Sequence, residues 1–531
     1  MGYYLSRLKL LIFIQLVFTT IYSITVALFP LLNQYLFDYV LEKGWLLVIK
    51  LLGIFLLLIL INSISQYISR IYEWKVSRKF FIDIKQDLFE HIVSTNNHEF
   101  YKQKPSEYLS IFNNNVEAID EGYISPLVDI AKSVINILIF SSAMVFFLDW
   151  RIALTLFITS VFTALIPRLF RKHLSLRRKE QLNALQHYFG KVVDLLSGKN
   201  RIDSNTFAAL KKVHKESLLN SEKKRFRFGL YNTFANMLNA IGMFFIQIVT
   251  FGLVGYLLVN QEITIGTGIA TFGYVSSFLT PIQNILDCTN LIHSTNDTIR
   301  QTQSYLSNDL IKKEKNHIHE NINTFSVHGI SFGNGPFKLF PVNYTFVKGK
   351  RYAIIGHSGS GKSTFLKCID GTISTENGVI IINGEATDNE SLHNIIFSIS
   401  QHEHLFQTDF FNNVTIFGGL KSRWDLVEEL LKNLSSETRI KITNYEKIEQ
   451  LSGGEKQIVG LLRMLVSNRP VIFMDESFSN IDQKNSLLIH DYLFSLENRI
   501  FIEVTHDISE ENLKKYDHIL SFNEGEMEII K

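Results

Sequence analysis

Six long apolar runs in the first 290 residues constrain this chain more than any other feature. Leu10 to Phe37 holds 28 residues without a charge, and Leu51 to Ser69 holds 19. A helix of about 20 apolar residues crosses a bilayer core. Ser133 to Leu148 and Ile152 to Pro167 have 16 each, separated only by Asp149, Trp150 and Arg151. That triplet predicts a tight turn with Trp150 at the membrane interface. Phe228 to Gln261 (34) and Ile263 to Leu286 (24) complete the set, divided by Glu262. Buried helices of a soluble protein are the competing reading, and six runs of this length weigh against it. The runs predict an all-α polytopic domain with tiny external loops.

Charge distribution orients these spans. Between the fourth and fifth, residues 168 to 227 carry 16 Lys and Arg against 5 acids, and cytoplasmic loops carry such an excess. An even number of spans then places both termini in the cytoplasm, in agreement with Arg7 and Lys9. The apolar run at the N-terminus is far longer than the core of a cleavable signal. The loop from Arg70 to Lys132, with 8 basic and 10 acidic residues, does not itself support the orientation. Over all 531 residues, 53 basic and 51 acidic side chains leave a net charge of +2, which argues against a nucleic-acid partner. That balance is an average: residues 1 to 322 sum to +9 and residues 323 to 531 to −7. The two cysteines, Cys288 and Cys368, are too few and too far apart for a disulfide framework or a zinc site.

The segments between spans are helical in pattern. Phe80, Ile84, Leu88 and Ile92 share one face, as do Leu182, Leu185, Phe189, Val192 and Leu196. The spans therefore continue into the cytosol as long helical extensions. On the fifth span Asn232, Asn236, Asn239 and Gln247 form a polar stripe. Polar groups in a membrane face protein or a water-filled cavity, so the stripe either lines a substrate cavity or binds helix to helix.

After a polar linker at 301–322 the pattern changes to short β-rich runs. The strand Tyr352 to Ile355 leads into Gly356, His357, Ser358, Gly359, Ser360, Gly361, Lys362, Ser363 and Thr364, and then a helical run. This is a phosphate-binding loop in the strand–loop–helix setting it requires. Glycines let backbone N–H groups wrap the phosphates, Lys362 reaches the β/γ oxygens, and Ser363 offers a hydroxyl to Mg²⁺. Val471 to Glu476 is an apolar strand ending in two carboxylates. Asp475 is placed to hold Mg²⁺, and Glu476 to polarise the attacking water.

Leu451, Ser452, Gly453, Gly454 and Glu455 match the signature of ATP-binding cassette proteins, and the other cassette parts follow in family order: Gln401, Ser479 to Asp482, and His506. The whole chain resembles a half-size ABC exporter of the six-helix, domain-swapped kind. The resemblance implies a multidomain fold: a six-helix transmembrane domain at 1–300, the linker, and an α/β P-loop NTPase domain of ABC type at 323–531. It implies ATP and Mg²⁺ as cofactors, with Ser363, Gln401 and Asp475 around the metal and Glu476 and His506 catalytic. Ser452, Gly453, Gly454 and Glu455 would meet the ATP of a second subunit, and Asp482 would communicate across that dimer. Segments near Asn113 to Glu117 and Asn205 to Lys211 resemble the helices that seat on the cassettes. The family's usual adenine-stacking aromatic falls at Asn334, leaving Phe337 or Phe340 nearby. The signature continues with Lys456, and Ser477–Phe478 replaces the usual Ala–Thr.

These features predict an ATPase that exports a peptide or amphipathic substrate through a bacterial inner membrane as a pair of half-transporters, most simply a homodimer in the lipid bilayer. A peptide is favoured because the Glu455-Lys456-Gln457 signature and the chain length resemble bacterial peptide exporters. A lipid or multidrug exporter is the alternative. A non-transporting, ATP-switched regulator would be favoured by degenerate catalytic residues, and here Lys362, Ser452, Glu476 and His506 are all present.

Overall fold

The computed structural model describes the chain except residues 96–98, 101–102, 104, 200–202, 307–320, 335–336, 388–391, 393, 401–402 and 421–422, together with scattered side chains including those of Asn239 and Asn334. Most of the linker therefore lies outside the described residues. The chain divides into two compact units, one of Met1–Glu90 and Ser106–Ser307, the other of His91–Pro105 and Asn308–Lys531.

The first unit is helical, as a membrane requires, because a helix satisfies its own backbone polar groups without water. Helix α1 (Gly2–Ser94) is two arms broken at Gly44, whose φ of 62° is left-handed; the first two apolar runs lie on either side of that break. Short helical turns over 105–124 lead into α2 (Ser125–Phe147), followed by α3 (Trp150–Ser197), α4 (Phe207–Val259) and α5 (Ile265–Leu306). The Asn113–Glu117 segment lies in those turns, and Asn205–Lys211 leads into α4. Among the described residues, three helical stretches are long and apolar enough to cross a membrane: Gly2–Ser94, Glu107–Phe147 and Phe207–Val259. The expected fourth and sixth runs lie within the helices α3 and α5, and among the described residues Trp150–Ser160 of α3 is a shorter apolar helix.

Asp149 caps α3 by accepting from the Arg151 N–H at 2.8 Å, so the expected turn is a helix start. Arg151 also reaches Glu262 at 2.6 Å, so one arginine pairs with an acid in its own turn and with the isolated acid between the fifth and sixth runs. Helix α2 packs along α5 and α3 along α4. Phe140, Met144, Ile152, Ile246, Tyr274 and Phe278 form the core where they meet.

The two predicted cytosolic faces fare differently. Phe80, Ile84 and Leu88 are fully buried against Val116 and Ile119. Leu182, Phe189 and Leu196 stay exposed while Leu185 and Val192 are half-buried, so the α3–α4 hairpin covers that stripe only in part.

The second unit holds two sheets. Strands β1 (Thr324–Asn334), β2 (Phe337–Val347), β4 (Asn377–Ile382) and β5 (Glu385–Thr387) form an antiparallel sheet ordered β2-β1-β4-β5. The second sheet is ordered β10-β9-β3-β8-β7-β6, from β3 (Arg351–Ile355), β6 (Ile396–Ile399), β7 (Val471–Asp475), β8 (Ile500–Val504), β9 (His518–Asn523) and β10 (Glu526–Ile529). Its strands are parallel except for β10. Strand β8 is buried along its whole length, as a parallel strand covered on both faces must be. Helix α6 (Lys362–Ile369) follows β3, α7 (Gly453–Ser467) precedes β7, and α8 (Gln483–Phe494) follows it.

Candidate functional site

Ligands of open parallel sheets bind beyond the carboxyl ends of the strands, and three such ends carry the chemistry here. The loop after β3 curls into α6, with Gly361 at φ 109° as its N-cap. Gly361 also sits against Phe337: a methyl group there would lie 2.9 Å from the ring. His357, Ser358 and Gly359 are exposed, whereas Ser360, Gly361 and Lys362 are buried. The Lys362 ammonium donates to the carbonyls of Gly356 at 2.8 Å and His357 at 2.9 Å. Burial holds its pKa below the ordinary lysine value. Ser360 is 1% exposed, and its hydroxyl has no partner among the described residues. A buried hydroxyl and a desolvated ammonium at a helix N-terminus fit a phosphate, which would supply acceptors to both.

Ser363 donates to Asp475 Oδ1 at 3.1 Å, so the loop and the end of β7 meet. Burial pushes the Asp475 carboxyl up, the Ser363 hydroxyl drawing it part-way back. A hydroxyl and a carboxylate side by side are oxygen donors that suit Mg²⁺. The third expected ligand, Gln401, lies outside the described residues.

Glu476 has a left-handed backbone, φ 52°. For a non-glycine residue this costs about 1 to 3 kcal/mol, and it turns the carboxylate away from Asp475. The two acids line different clefts as a result. Glu476 Oε1 lies 2.6 Å from His506 Nε2, just beyond β8. The acid and the imidazole thus meet at one edge, half-open to solvent.

Ser452 caps α7 in a reciprocal box: its N–H donates to Glu455 Oε2 at 2.7 Å, and its hydroxyl accepts from the Glu455 N–H at 3.2 Å. A methyl group on Gly454 would strike the Asn480 carbonyl, while Gly453 has its nearest neighbour at 3.8 Å. Gln457 accepts from the Asn480 N–H at 3.2 Å. The signature helix is therefore bound to the loop that carries Asp482. Asp482 itself caps α8 through the Asn485 N–H at 3.0 Å, and that bond lowers its pKa.

Sequence reasoning missed the groups that hold these parts in place. Arg463 on α7 pairs with Glu403 at 2.8 Å, with side-chain exposures of 7% and 11%, and donates to the carbonyls of Asn413 and His404. Burial pushes Glu403 up while Arg463 draws it down. Ser477 donates to the Ile399 carbonyl at 3.3 Å, which gives the unusual serine a job tying β7 to β6. A charged residue in the apolar run of α7 was the available signal for Arg463.

Exposure varies along the fifth-span stripe. Asn232 and Gln247 are half-buried, Asn236 is exposed, and the Asn239 side chain lies outside the described residues.

Against known proteins, residues 339–479 match the ABC transporter family and residues 12–282 match the ABC transporter transmembrane region. YgaD of Bacillus subtilis, provisionally named a multidrug export ATP-binding/permease protein, is 25% identical over 92% of this chain and 88% of its own. The ATP-dependent lipid A-core flippase of Haemophilus ducreyi is 22% identical over 89% and 84%. A bacterial Atm1-family ABC exporter solved with ATP bound superposes with a TM-score of 0.78 at 16% identity, covering 98% of this chain and 95% of that one. With its phosphate loop, signature helix and membrane helices in one polypeptide, the chain belongs to the ABC transporter family, as a multi-pass membrane protein of half-size exporter architecture whose C-terminal cassette is an ATPase.

Proposed function

We propose that two copies of this chain form an exporter that uses ATP to move an amphipathic substrate out of the cytoplasm by alternating access. The observation that carries the reading is the Glu476–His506 pair, 2.6 Å apart beside the phosphate loop, a complete hydrolytic edge rather than a degenerate switch. Glu476 takes the proton of the attacking water, and His506 holds the water and the γ-phosphoryl oxygens. Lys362 turns from its own loop carbonyls to the β/γ oxygens, with Phe337, whose ring lies against Gly361, the aromatic offered to adenine. Ser363, Asp475 and Gln401 would hold Mg²⁺, which neutralises charge on the phosphates.

Ser452, Gly453, Gly454 and Glu455 act on the second subunit's ATP in this reading, with Asp482 at the dimer seam. The uncovered stripe of Leu182, Phe189 and Leu196 supports a second copy, since an exposed apolar stripe of this length calls for a partner. ATP closes the cassette pair and hydrolysis reopens it, a population shift between two membrane conformations. The 16 basic residues of 168–227 favour cytoplasmic termini and an inner-membrane location. Relatives named for multidrug export and for lipid A-core flipping favour an amphipathic substrate, a class that includes hydrophobic peptides.

The test is ATP hydrolysis by the purified protein. Glu476→Gln is expected to lower kcat by about 10²- to 10⁴-fold, the usual contribution of a general base. Undiminished turnover would remove Glu476 from that role.

A further inference from the structure

The membrane unit contains a cleft of about 450 Å³ between both arms of α1, α2 and α5. Among the described residues its lining has no aliphatic side chain. Its uncharged members, Gln66, Asn136 and Asn284 among them, lie within the apolar runs, where such polarity is costly and marks a substrate path or a relay, and its four charges sit just past the ends of those runs.

Its charges cancel. Lys132 lies 2.9 Å from both Glu73 and Asp129, and Arg70 lies 2.8 Å from Glu73. Two cations sit on two carboxylates. A site built for phosphate or carboxylate keeps a cation uncompensated, and here Glu73 and Asp129 would repel an anion, the unfavourable half of specificity. The rest of the lining is hydroxyls and amides, among them Gln66, Asn136 and Asn284. Each amide offers donors and an acceptor together. The complementary group also carries both.

We propose that this cleft binds the uncharged, hydrogen-bonding head of an amphipathic substrate while the apolar part lies against the spans. This rests on the exporter reading and narrows it: anionic lipid heads are disfavoured, and glycosyl or peptide-amide heads are selected. Charge neutrality, rather than cationic attraction, sets the selectivity.

The experiment uses full-length protein in proteoliposomes and four probes with one alkyl chain: decyl maltoside, an N-decanoyl dipeptide amide, decyl phosphate and decyltrimethylammonium. The concentration giving half-maximal change of ATPase rate is read for each. The uncharged probes are expected to act at concentrations about tenfold lower than either charged one, and the better of the two identifies a glycosyl or a peptide source. Glu73→Gln leaves the lining at +1 and should lower the value for decyl phosphate about tenfold; Asn284→Asp leaves it at −1 and should do so for decyltrimethylammonium. Opposite shifts cannot arise from misfolding, and either variant alone suffices if the other fails to fold. A charged probe preferred by the unaltered protein, or a ranking unmoved by both variants, overturns the cleft and leaves export standing. No response to any probe while Glu476-dependent hydrolysis persists overturns the amphipathic-exporter reading itself.

Discussion

Leu60, on the second arm of α1, and Ile530, just past β10, are each 60% exposed, yet they face different solvents. Around Leu60 exposure is the rule: Leu56 is 64% exposed, and further spans present Phe146 at 80% and Val259 at 83%. In the cassette large apolar residues withdraw, and Phe365, Phe473, Phe501 and Phe522 are at most 2% exposed. Charge follows the opposite course. The cassette keeps ion pairs near its surface and buries Arg463–Glu403, while in the first unit charges at the ends of the spans meet in one cleft and in the Arg151–Glu262 contact. The contrast teaches that exposure alone says nothing about cost until the solvent is named.

The sharpest attempt to break this contrast is inside the cassette. Arg463→Ala strands the Glu403 carboxylate at 11% exposure, and breaking a buried pair from one side costs about 3 to 5 kcal/mol. Denaturant unfolding of the full-length protein, followed by a cassette-specific probe, measures it. A cost below 1 kcal/mol would show the pair to be dispensable. The matched pair comes next. Leu60→Asp should oppose membrane insertion by about 3 kcal/mol, whereas Ile530→Asp should stay within about 0.5 kcal/mol. Insertion efficiency and cassette melting temperature are the readouts, and equal effects would erase the distinction between the two surfaces. Smallest is a contrast between neighbours in the signature. Gly454→Ala meets the Asn480 backbone and should cost about 1 to 3 kcal/mol. Gly453→Ala, with 3.8 Å of room, should cost under about 0.5 kcal/mol.

The two units also differ in how much of them is legible in sequence. The phosphate loop, the acids after β7 and the signature are local: each motif is contiguous, and its chemistry follows from spacing. Their supports are not. Arg463 and Glu403 are 60 residues apart, and nothing local announces that they meet. In the membrane unit the spans are legible because a bilayer demands a long run, but function there comes from helices meeting. The fifth-span stripe of Asn232 and Asn236 is conspicuous as a pattern, yet the fold leaves Asn236 exposed and Asn232 half-buried. Glu73 and Lys132, read as ordinary loop charges, turn out to line a cleft with Asn284, because folding brings α1, α2 and α5 together. The face of Leu182 and Phe189 shows the complementary failure: the periodicity is real, but among the described residues nothing buries Leu182, Phe189 or Leu196.

The central claim, that hydrolysis at Glu476 drives vectorial movement, is tested most directly by uptake into sealed proteoliposomes whose cassettes face outward. With ATP and Mg²⁺ outside, a fluorescent uncharged amphiphile should accumulate in the lumen, and Glu476→Gln should abolish that accumulation while leaving nucleotide binding in place. Full ATP turnover without accumulation, or accumulation that survives Glu476→Gln, would contradict the account.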